Sequence, residues 1–237
     1  MANAGRKGDE GLTKSGGDSV SIKNGQFESG EMDVAAVILA GGRGRRMGGR
    51  NKALLTYGNE PFIRRQCRLA LEWAKEAIVV APPSEELLQA VCGLGRVRVV
   101  PDEWTGLGPL AGLHAGLKAS SSPVVWALAC DQPSPSPKAA RLLGEKLAAG
   151  THRAAVPIVG GRTQPLHALY RADLASVCGA LLAAGERRLG ALLEAIAWTG
   201  VPEEAFIRAG IGLDFAMDVD TPEEYRRLLK DAAGPDD

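Results

Sequence analysis

Short apolar runs alternate along the chain with segments whose apolar residues recur at helical spacing. The runs at positions 34–40, 77–81, 97–100 and 124–129 are four to seven residues long and rich in valine and alanine. The first two runs are apolar throughout, as is typical of strands buried on both faces of a sheet, and the other two continue the series. Their alternation with amphipathic segments favours a mostly parallel sheet. We therefore predict one three-layer α/β domain with helices on both faces of the sheet.

Two of the amphipathic segments carry recognisable helix starts. Residues 61–74 open with Pro61, and proline is common in the first turn of a helix. Near the carboxyl terminus, Thr221 precedes Pro222, and Glu224 follows Thr221 at the spacing of a capping box. These signals predict helices at 61–74 and 222–232.

The two ends of the chain lack such patterns. Residues 1–32 are rich in glycine, serine and charged residues, and their scattered apolar residues cannot bury a face that would offset the entropy of ordering. We predict a disordered tail over 1–32, one domain over 33–232 and a short tail over 233–237. Met32, directly before the first strand, is also a candidate start of translation.

Composition excludes several classes of protein. The chain of 237 residues has a formal net charge of +0, which gives no general attraction to nucleic acid or to anionic membranes. No apolar run is long enough to span a bilayer, and the amino terminus has no signal-peptide core. We therefore expect a cytoplasmic protein with neither nucleic acid nor membrane as a partner.

Cysteine and histidine patterns give no sign of a thiolate metal site. Cys67, Cys92, Cys130 and Cys178 lie far apart and form no C-x-x-C pair, so we expect most of them to be buried, reduced side chains. His114 lies among leucines at helical spacing, which predicts a packing residue. The other two histidines have no partner at metal-ligand spacing.

The segment after the first predicted strand is rich in glycine and basic residues. Residues 41–52 hold five glycines and four arginines and end at Lys52. Lys52 is followed by Ala53, which does not match a P-loop, and Gly42 and Gly44 supply only the first two glycines of a dinucleotide-binding fingerprint. Glycines expose backbone N–H groups to phosphate, and the cations neutralise its charge. The composition indicates a triphosphate site, although a solvated basic loop would share it.

Carboxylates follow other predicted strands at the same edge of the sheet. Asp131 comes after the run 124–129 and suits Mg²⁺, which needs only one or two protein carboxylates beside phosphate oxygens. Its alternative role is to cap the next helix. Asp218 and Asp220 alternate as residues on one face of a strand do, so they could join Asp131 around the metal. Asp102 follows the run 97–100 and either contacts the ligand or lies in a surface turn.

Five motifs, in order, carry a resemblance to a known family. The stretch LAGGRGRRMGGRNK at 39–52 is similar to the signature L-A-G-G-x-x-x-R-M-G-x-x-x-K of nucleotidyltransferases that transfer an NMP to a phosphorylated acceptor. The match continues with GPLAGL at 108–113, ACDQP at 129–133, QPLHALYR at 164–171 and MDVDTPEEY at 217–225. The set resembles most closely the molybdenum cofactor guanylyltransferases, the MobA family.

The resemblance implies a Rossmann-like nucleotidyltransferase domain that transfers GMP from GTP to molybdopterin with Mg²⁺ as cofactor. It implies catalytic roles for Lys52, Arg46 and Asp131, metal binding by Asp131 and Asp220, and acceptor binding by Gln164 and Asp218. The nucleotide-binding residues that it implies are Leu39, Ala40, Gly41, Gly42, Gly44, Arg46, Met47, Gly48, Lys52, Asp102 and Gly108. Molybdopterin-insertion proteins and molybdoenzyme chaperones are further partners that it implies.

Several alternatives stay open. Asp218 and Asp220 depart from the guanylyltransferase pattern, in which asparagines are more usual, and are more like the related cytidylyltransferases. A cytidylyltransferase for the same cofactor and a sugar-phosphate nucleotidyltransferase would use the same loop. A non-catalytic nucleotide-binding regulator would keep the fold without needing Lys52 and Asp131. An NAD-binding oxidoreductase is disfavoured, because no acidic residue stands where a ribose would bind.

Overall fold

The computed structural model describes residues 32–42, 51–102, 104 and 106–233. The strands within these residues are β1 (Val34–Leu39), β2 (Thr56–Tyr57), β3 (Glu60–Pro61), β4 (Glu76–Val80), β5 (Val97–Val100), β6 (Val124–Ala129), β7 (Ala154–Val159), β8 (Arg162–Thr163), β9 (Ala168–Arg171) and β10 (Trp198–Pro202). The helices are α1 (Phe62–Ala70), α2 (Glu85–Val91), α3 (Pro109–Ala119), α4 (Pro137–Ala148), α5 (Ala175–Ala183), α6 (Leu189–Ala195), α7 (Glu203–Arg208) and α8 (Pro222–Ala233). No helix among these is both long and apolar enough to cross a membrane.

The strands form one large, mostly parallel sheet. The strand order is β10-β7-β9-β6-β1-β4-β5. Strand β8 stands outside this order and pairs with the last two residues of β7. Strand β1 runs parallel to both β4 and β6, whereas β9 runs antiparallel to β6 and β7. The short strands β2 and β3 form a separate hairpin. The sequence prediction of a mostly parallel sheet is therefore confirmed.

Two hydrophobic clusters lie on opposite faces of the sheet. Alternate residues of β1 point to each: Ala36 and Ile38 belong to one cluster, and Ala35 and Val37 belong to the other. Helices α1, α2, α4 and α7 contribute to the first cluster, and α3, α5 and α6 contribute to the second. Because β1 is buried on both faces, its uniformly apolar sequence follows from its position. The predicted three layers are confirmed.

The boundaries of α8 agree with the sequence prediction to within one residue, whereas those of α1 differ from it. In α8, the Glu224 N–H donates to Thr221 Oγ1 at 3.2 Å and the Thr221 N–H donates to Glu224 Oε2 at 2.9 Å, which is the predicted capping box. Helix α1 begins at Phe62 rather than at Pro61, because Pro61 has extended backbone and pairs with Thr56 in the hairpin. It ends at Ala70, four residues before the predicted end.

The predicted tail lies outside the described residues except for Met32. Met32 is half-buried and packs against the hydrophobic cluster that contains Trp73. The adjacent Asp33 pairs with Lys75 at 2.7 Å and accepts a hydrogen bond from Ser122 Oγ at 2.6 Å. The part of the chain just before β1 is therefore tied to the domain.

Helix α3 packs against β1 with unusually little space between them. A Cβ atom placed on Gly116 would lie 2.3 Å from Val37 Cγ1 and 2.8 Å from Val37 Cγ2. Val37 is fully buried between β4 and β6 and cannot move away easily. Glycine at position 116 therefore allows the helix to lie closer to the sheet than any other residue would.

We predict that Gly116→Ala lowers the free energy of unfolding by about 1–3 kcal/mol, because the added methyl group overpacks the core. Urea unfolding measures this change. The matched control is Gly190→Ala in α6, where an added Cβ meets nothing within 4 Å. It should leave stability unchanged or raise it by about 0.5–1 kcal/mol through helix propensity. Equal effects of the two substitutions would contradict the close approach of α3.

His167 is fully buried in the core with an unusual backbone conformation. Its φ angle is 128°, and its ring lies between Trp126 and Phe215, with ring centroids 5.1 and 4.4 Å away. Nε2 accepts a hydrogen bond from the Ser136 N–H at 3.0 Å, so the ring is held in its neutral form. Burial lowers the pKa of His167 from 6.5 to about 3. At any pH where this histidine binds a proton in the unfolded chain but not in the folded protein, it lowers the free energy of unfolding.

Because the folded-state pKa of His167 lies below its unfolded value, stability should fall as the pH drops from about 6.5 towards 3. Between pH 7 and pH 5 the expected loss is about 2 kcal/mol, measured by urea unfolding at each pH. His167→Leu should be less stable at pH 7 but should lose this pH dependence. His152→Gln, at the half-buried His152, should retain it. An unchanged pH dependence in His167→Leu would show that another group is responsible.

Candidate active site

A cleft opens at the carboxyl edge of the central strands. Its volume is about 590 Å³, within the usual range for small-molecule sites. The lining residues come mainly from strand ends and the segments that follow them: Leu39, Gly41, Gly42, Lys52, Val80, Asp102, Gly106, Gly108, Pro109, Gly112, Ala129, Cys130, Asp131, Leu166 and Asp220. Ligands of open α/β sheets bind at this edge.

The backbone fixes the two segments that leave β1 and β6. The Ala40 N–H donates to Val80 O at 2.9 Å, and the Cys130 N–H donates to Leu39 O at 3.1 Å. The hydrogen-bond pattern of the sheet thus continues just past the ends of the strands. Gly41 and Asp131, each one residue further along, therefore emerge side by side at the cleft.

Lys52 lies between two carboxylates in the cleft. It begins a short 3₁₀ helix that Asn51 caps by accepting the Ala53 N–H at 3.1 Å. Lys52 Nζ lies 3.2 Å from Asp131 Oδ2 and also donates to Asp220 Oδ1. The Lys52 side chain is only 13% exposed, compared with 27% for Asp131 and 38% for Asp220. We call these three side chains the Lys52 triad.

The electrostatics of the Lys52 triad favour a charged lysine and leave one negative charge in excess. Burial acts to lower the pKa of Lys52, but the hydrogen bonds and charges of Asp220 and Asp131 outweigh it, so the pKa lies above its ordinary value. With all three groups ionised, the Lys52 triad by itself holds one positive and two negative charges.

The segment 217–220 differs from its predicted structure. It forms no strand, although the Val219 N–H donates to Asp131 O at 2.8 Å. Asp220 joins the Lys52 triad, whereas Asp218 accepts a hydrogen bond from Gln132 Nε2 at 2.9 Å and does not line the cleft. The predicted strand over 217–220 is therefore not formed. That Asp218 and Asp220 both join Asp131 around a metal stays a prediction.

Asp218 is nevertheless affected by the neighbouring charges. Desolvation of its carboxylate raises its pKa, the hydrogen bond from Gln132 opposes this, and the negative charges of Asp131 and Asp220 raise it further. Asp218 therefore lies close enough to the Lys52 triad to sense its carboxylates.

Two further predicted residues, Asp102 and Gly108, line the cleft. Asp102 Oδ1 accepts the Trp104 N–H at 2.9 Å, so Asp102 forms a surface turn and lines the cleft at the same time. Gly108 caps the amino terminus of α3 with a φ angle of 86°, and an added Cβ would lie 3.0 Å from Arg187 O. Glycine is required there both by the backbone conformation and by the nearby carbonyl group.

Other predicted site residues do not reach the cleft or cannot be placed. Gln164 is half-buried outside the cleft lining, and its N–H donates to Pro157 O at 2.8 Å. Ala40 is not among the lining residues, and its N–H donates to Val80 O at 2.9 Å. The predicted residues Gly44, Arg46, Met47 and Gly48 lie outside the described residues.

Cysteine and histidine play the roles expected from the sequence. Cys67, Cys130 and Cys178 are buried and unbonded to other cysteines, whereas Cys92 is exposed. Cys130 lines the cleft, but burial and the charge of Asp131 raise the pKa of its thiol to about 12, so it stays protonated and is a poor nucleophile. His114 is buried in α3, as predicted.

A buried pair of glutamines beside the Lys52 triad was missed in the sequence. Gln66 of α1 is fully buried, and Gln132 is 3% exposed. Gln66 Nε2 donates to the carbonyl oxygens of Ala129 and Gln132 at 2.6 and 2.7 Å. A polar residue at position 66, among the apolar residues that form the buried face of α1, is the feature of the sequence that could have indicated this pair.

Fold and site together define a nucleotide-binding α/β protein, with a glycine-lined cleft at the strand ends and a lysine held among carboxylates. The family model of the MobA-like NTP transferase domain matches residues 36–199. This chain belongs to the MobA-like NTP transferase family.

Individual relatives and solved structures agree with this assignment. A probable molybdenum cofactor guanylyltransferase of Natronomonas pharaonis is 32% identical over 194 residues, which cover 81% of this chain and 94% of that protein. The molybdopterin-guanine dinucleotide biosynthesis protein A of Archaeoglobus fulgidus has a similar fold, with a TM-score of 0.70 and 22% identity over 84% of this chain and 98% of that one. A Mycobacterium tuberculosis protein solved in complex with manganese gives a TM-score of 0.56 and 18% identity, over 84% of this chain and 99% of its own.

Proposed function

We propose that this protein transfers GMP from GTP to the terminal phosphate of molybdopterin, with or without its molybdenum, and releases pyrophosphate. The product is the guanine dinucleotide form of the cofactor. The observation that carries the proposal is the Lys52 triad, placed in a cleft of nucleotide size at the carboxyl edge of the sheet. The guanylyltransferase relative from Natronomonas pharaonis supports the choice of substrates.

The charge of the cleft supports a divalent metal as cofactor, and we propose Mg²⁺. The donor set fits: Asp131 and Asp220 offer two hard oxygen ligands, and Mg²⁺ takes one or two carboxylates with phosphate oxygens and water completing its shell. Among the described residues, no group of three or more His, Cys, Asp or Glu side chains gathers into a metal cage. A bound divalent cation would neutralise phosphate charge and orient the reacting phosphoryl group.

The transfer needs positioning and charge neutralisation more than acid–base chemistry. An oxygen of the acceptor phosphate forms a bond to the α-phosphorus of GTP, and the bond from that phosphorus to the bridging oxygen breaks. Pyrophosphate leaves with the electron pair. The acceptor phosphate is already anionic, so no general base is required. Lys52, kept charged by its partners, stabilises negative charge on the transferring phosphoryl group.

The remaining residues hold the substrates. Gly41 and Gly42 line the cleft beside Asp131 and allow close approach of the triphosphate. The role of Arg46 at the phosphates and those of Gln164 and Asp218 at the acceptor stay predictions. So do the cytoplasmic location and the partnership with molybdopterin-insertion proteins and molybdoenzyme chaperones.

We predict that GTP supports faster turnover than CTP or ATP when each is incubated with the protein, Mg²⁺ and molybdopterin. The measurement is pyrophosphate release together with identification of the dinucleotide product. Faster turnover with CTP would show that the acidic residues Asp218 and Asp220 indicate base preference better than the other motifs do. Binding of nucleotide without any turnover would favour a regulator.

We predict that Asp131→Asn and Lys52→Ala each lower kcat by about 10²-fold or more, because each removes a preorganised charge. Lys52→Ala should reduce kcat more than it weakens GTP binding, since its charge acts mainly on the transition state. Lys75→Ala and Asp173→Asn are charge-matched controls: both residues form ion pairs outside the cleft lining and should retain activity. A loss below about tenfold in both site variants would refute the assigned roles.

A further inference from the structure

A buried amide lies behind the Lys52 triad and contacts the backbone on both sides of Asp131. Gln66 of α1 is fully buried, and its single Nε2 atom donates to Ala129 O at 2.6 Å and to Gln132 O at 2.7 Å. These two carbonyl groups bracket Cys130 and Asp131 in the chain. The two contacts restrain the backbone turn from which the Asp131 side chain projects.

A second set of hydrogen bonds joins the same turn to the segment that carries Asp220. Gln132 Nε2 donates to Asp218 Oδ1 at 2.9 Å, and the Val219 N–H donates to Asp131 O at 2.8 Å. Asp220 follows directly and contacts Lys52. The backbones that carry the two carboxylates of the Lys52 triad are thus connected to each other and, through Gln66, to helix α1.

Packing alone does not account for these two buried amides. Gln66 Oε1 and Gln132 Oε1 are buried and have no hydrogen-bond partner in the part of the chain that the structure describes. A buried amide oxygen without a partner costs about 1–3 kcal/mol. The neighbouring buried positions of α1, including Ile63 and Cys67, are apolar. An apolar residue at position 66 would avoid that cost but would also remove the donor to the carbonyl oxygens of Ala129 and Gln132. What the amide nitrogen adds over an apolar side chain is therefore a link between α1 and the turn that carries Asp131.

We propose that Gln66 is a positioning residue that holds Asp131 beside Asp220 for cation binding. The proposal rests on the proposed function in that it takes these two carboxylates as metal ligands. Two carboxylates at close range repel each other, and Lys52 lies between them. The hydrogen bonds of Gln66 and Gln132 hold the backbones that carry Asp131 and Asp220 at this separation.

The test is Gln66→Met, which keeps an unbranched side chain and removes the donor. The probe is Mn²⁺, titrated into the nucleotide-free protein and followed by electron paramagnetic resonance, with the number of sites counted per folded molecule. We expect Mn²⁺ affinity to fall by about 10-fold or more, as is typical for residues that orient metal ligands. We also expect kcat to fall by a similar factor while KM for GTP changes by less than about threefold.

Ser122→Ala is the matched control for lost stability. Ser122 is 4% exposed and donates to Asp33 at 2.6 Å before β6, at the opposite end of the strand that leads to Asp131. The Ser122→Ala substitution removes a partly buried hydrogen bond outside the cleft lining, so Mn²⁺ affinity and kcat should not change. If Gln66→Met does not fold, Gln132→Met tests the same proposal through the contact to Asp218, with the same expected loss of affinity.

Two results would overturn the proposal. One is a folded Gln66→Met, or Gln132→Met in its place, whose Mn²⁺ affinity stays within about threefold of the unaltered protein. The other is an equal loss of affinity in Ser122→Ala, which would make the effect one of general stability. Asp131→Asn separates this proposal from the proposed function: if it binds Mn²⁺ normally, the metal assignment itself fails, whatever Gln66 does.

Discussion

The parallel register of β1 between β4 and β6 is the constraint on which the site depends. Leu39 pairs with Val80 on one side and with Ala129 on the other, so the three strands end at the same level. Apart from Glu76 at the start of β4, all three strands are apolar and almost entirely buried. Ligand chemistry can appear only where the strands end, and Asp131 and Gly41 appear there together.

The Lys52 triad connects three segments of the chain at this edge. Lys52 comes from a separate 3₁₀ helix, Asp131 from the end of β6 and Asp220 from the segment before α8. Their mutual attraction joins three parts of the chain that are distant in sequence. The same contacts keep Lys52 charged, because the two neighbouring carboxylates hold its pKa above the ordinary value.

The sequence predicted the elements whose signals are local. The strands β1, β4, β5 and β6 were predicted to within one residue. In β1, β4 and β6, burial on both faces imposes an almost entirely apolar run, whereas the edge strand β5 keeps its valines around the exposed Arg98. The capping box of α8 is likewise a local pattern. The early end of α1 and the separate partners of Asp218 and Asp220 were not predicted. Which carboxylate meets Lys52 depends on how segment 217–220 crosses the end of β6, and no local pattern encodes that crossing.

Packing on the far side of the sheet also determines the shape of the cleft. Helix α3 rests on β1 through Gly112 and Gly116, where added Cβ atoms would lie 3.1 and 2.3 Å from side-chain atoms of Leu39 and Val37. This close approach fixes the position of the whole helix, including its amino terminus at Gly108, which lines the cleft. Backbone N–H groups at a helix amino terminus favour anions. At this terminus, however, Pro109 has no N–H group and the Leu110 N–H already donates to Arg187 O at 3.4 Å. Two glycines in the core therefore set the position of the cleft wall at Gly108, and they do so through packing rather than by offering free amide groups.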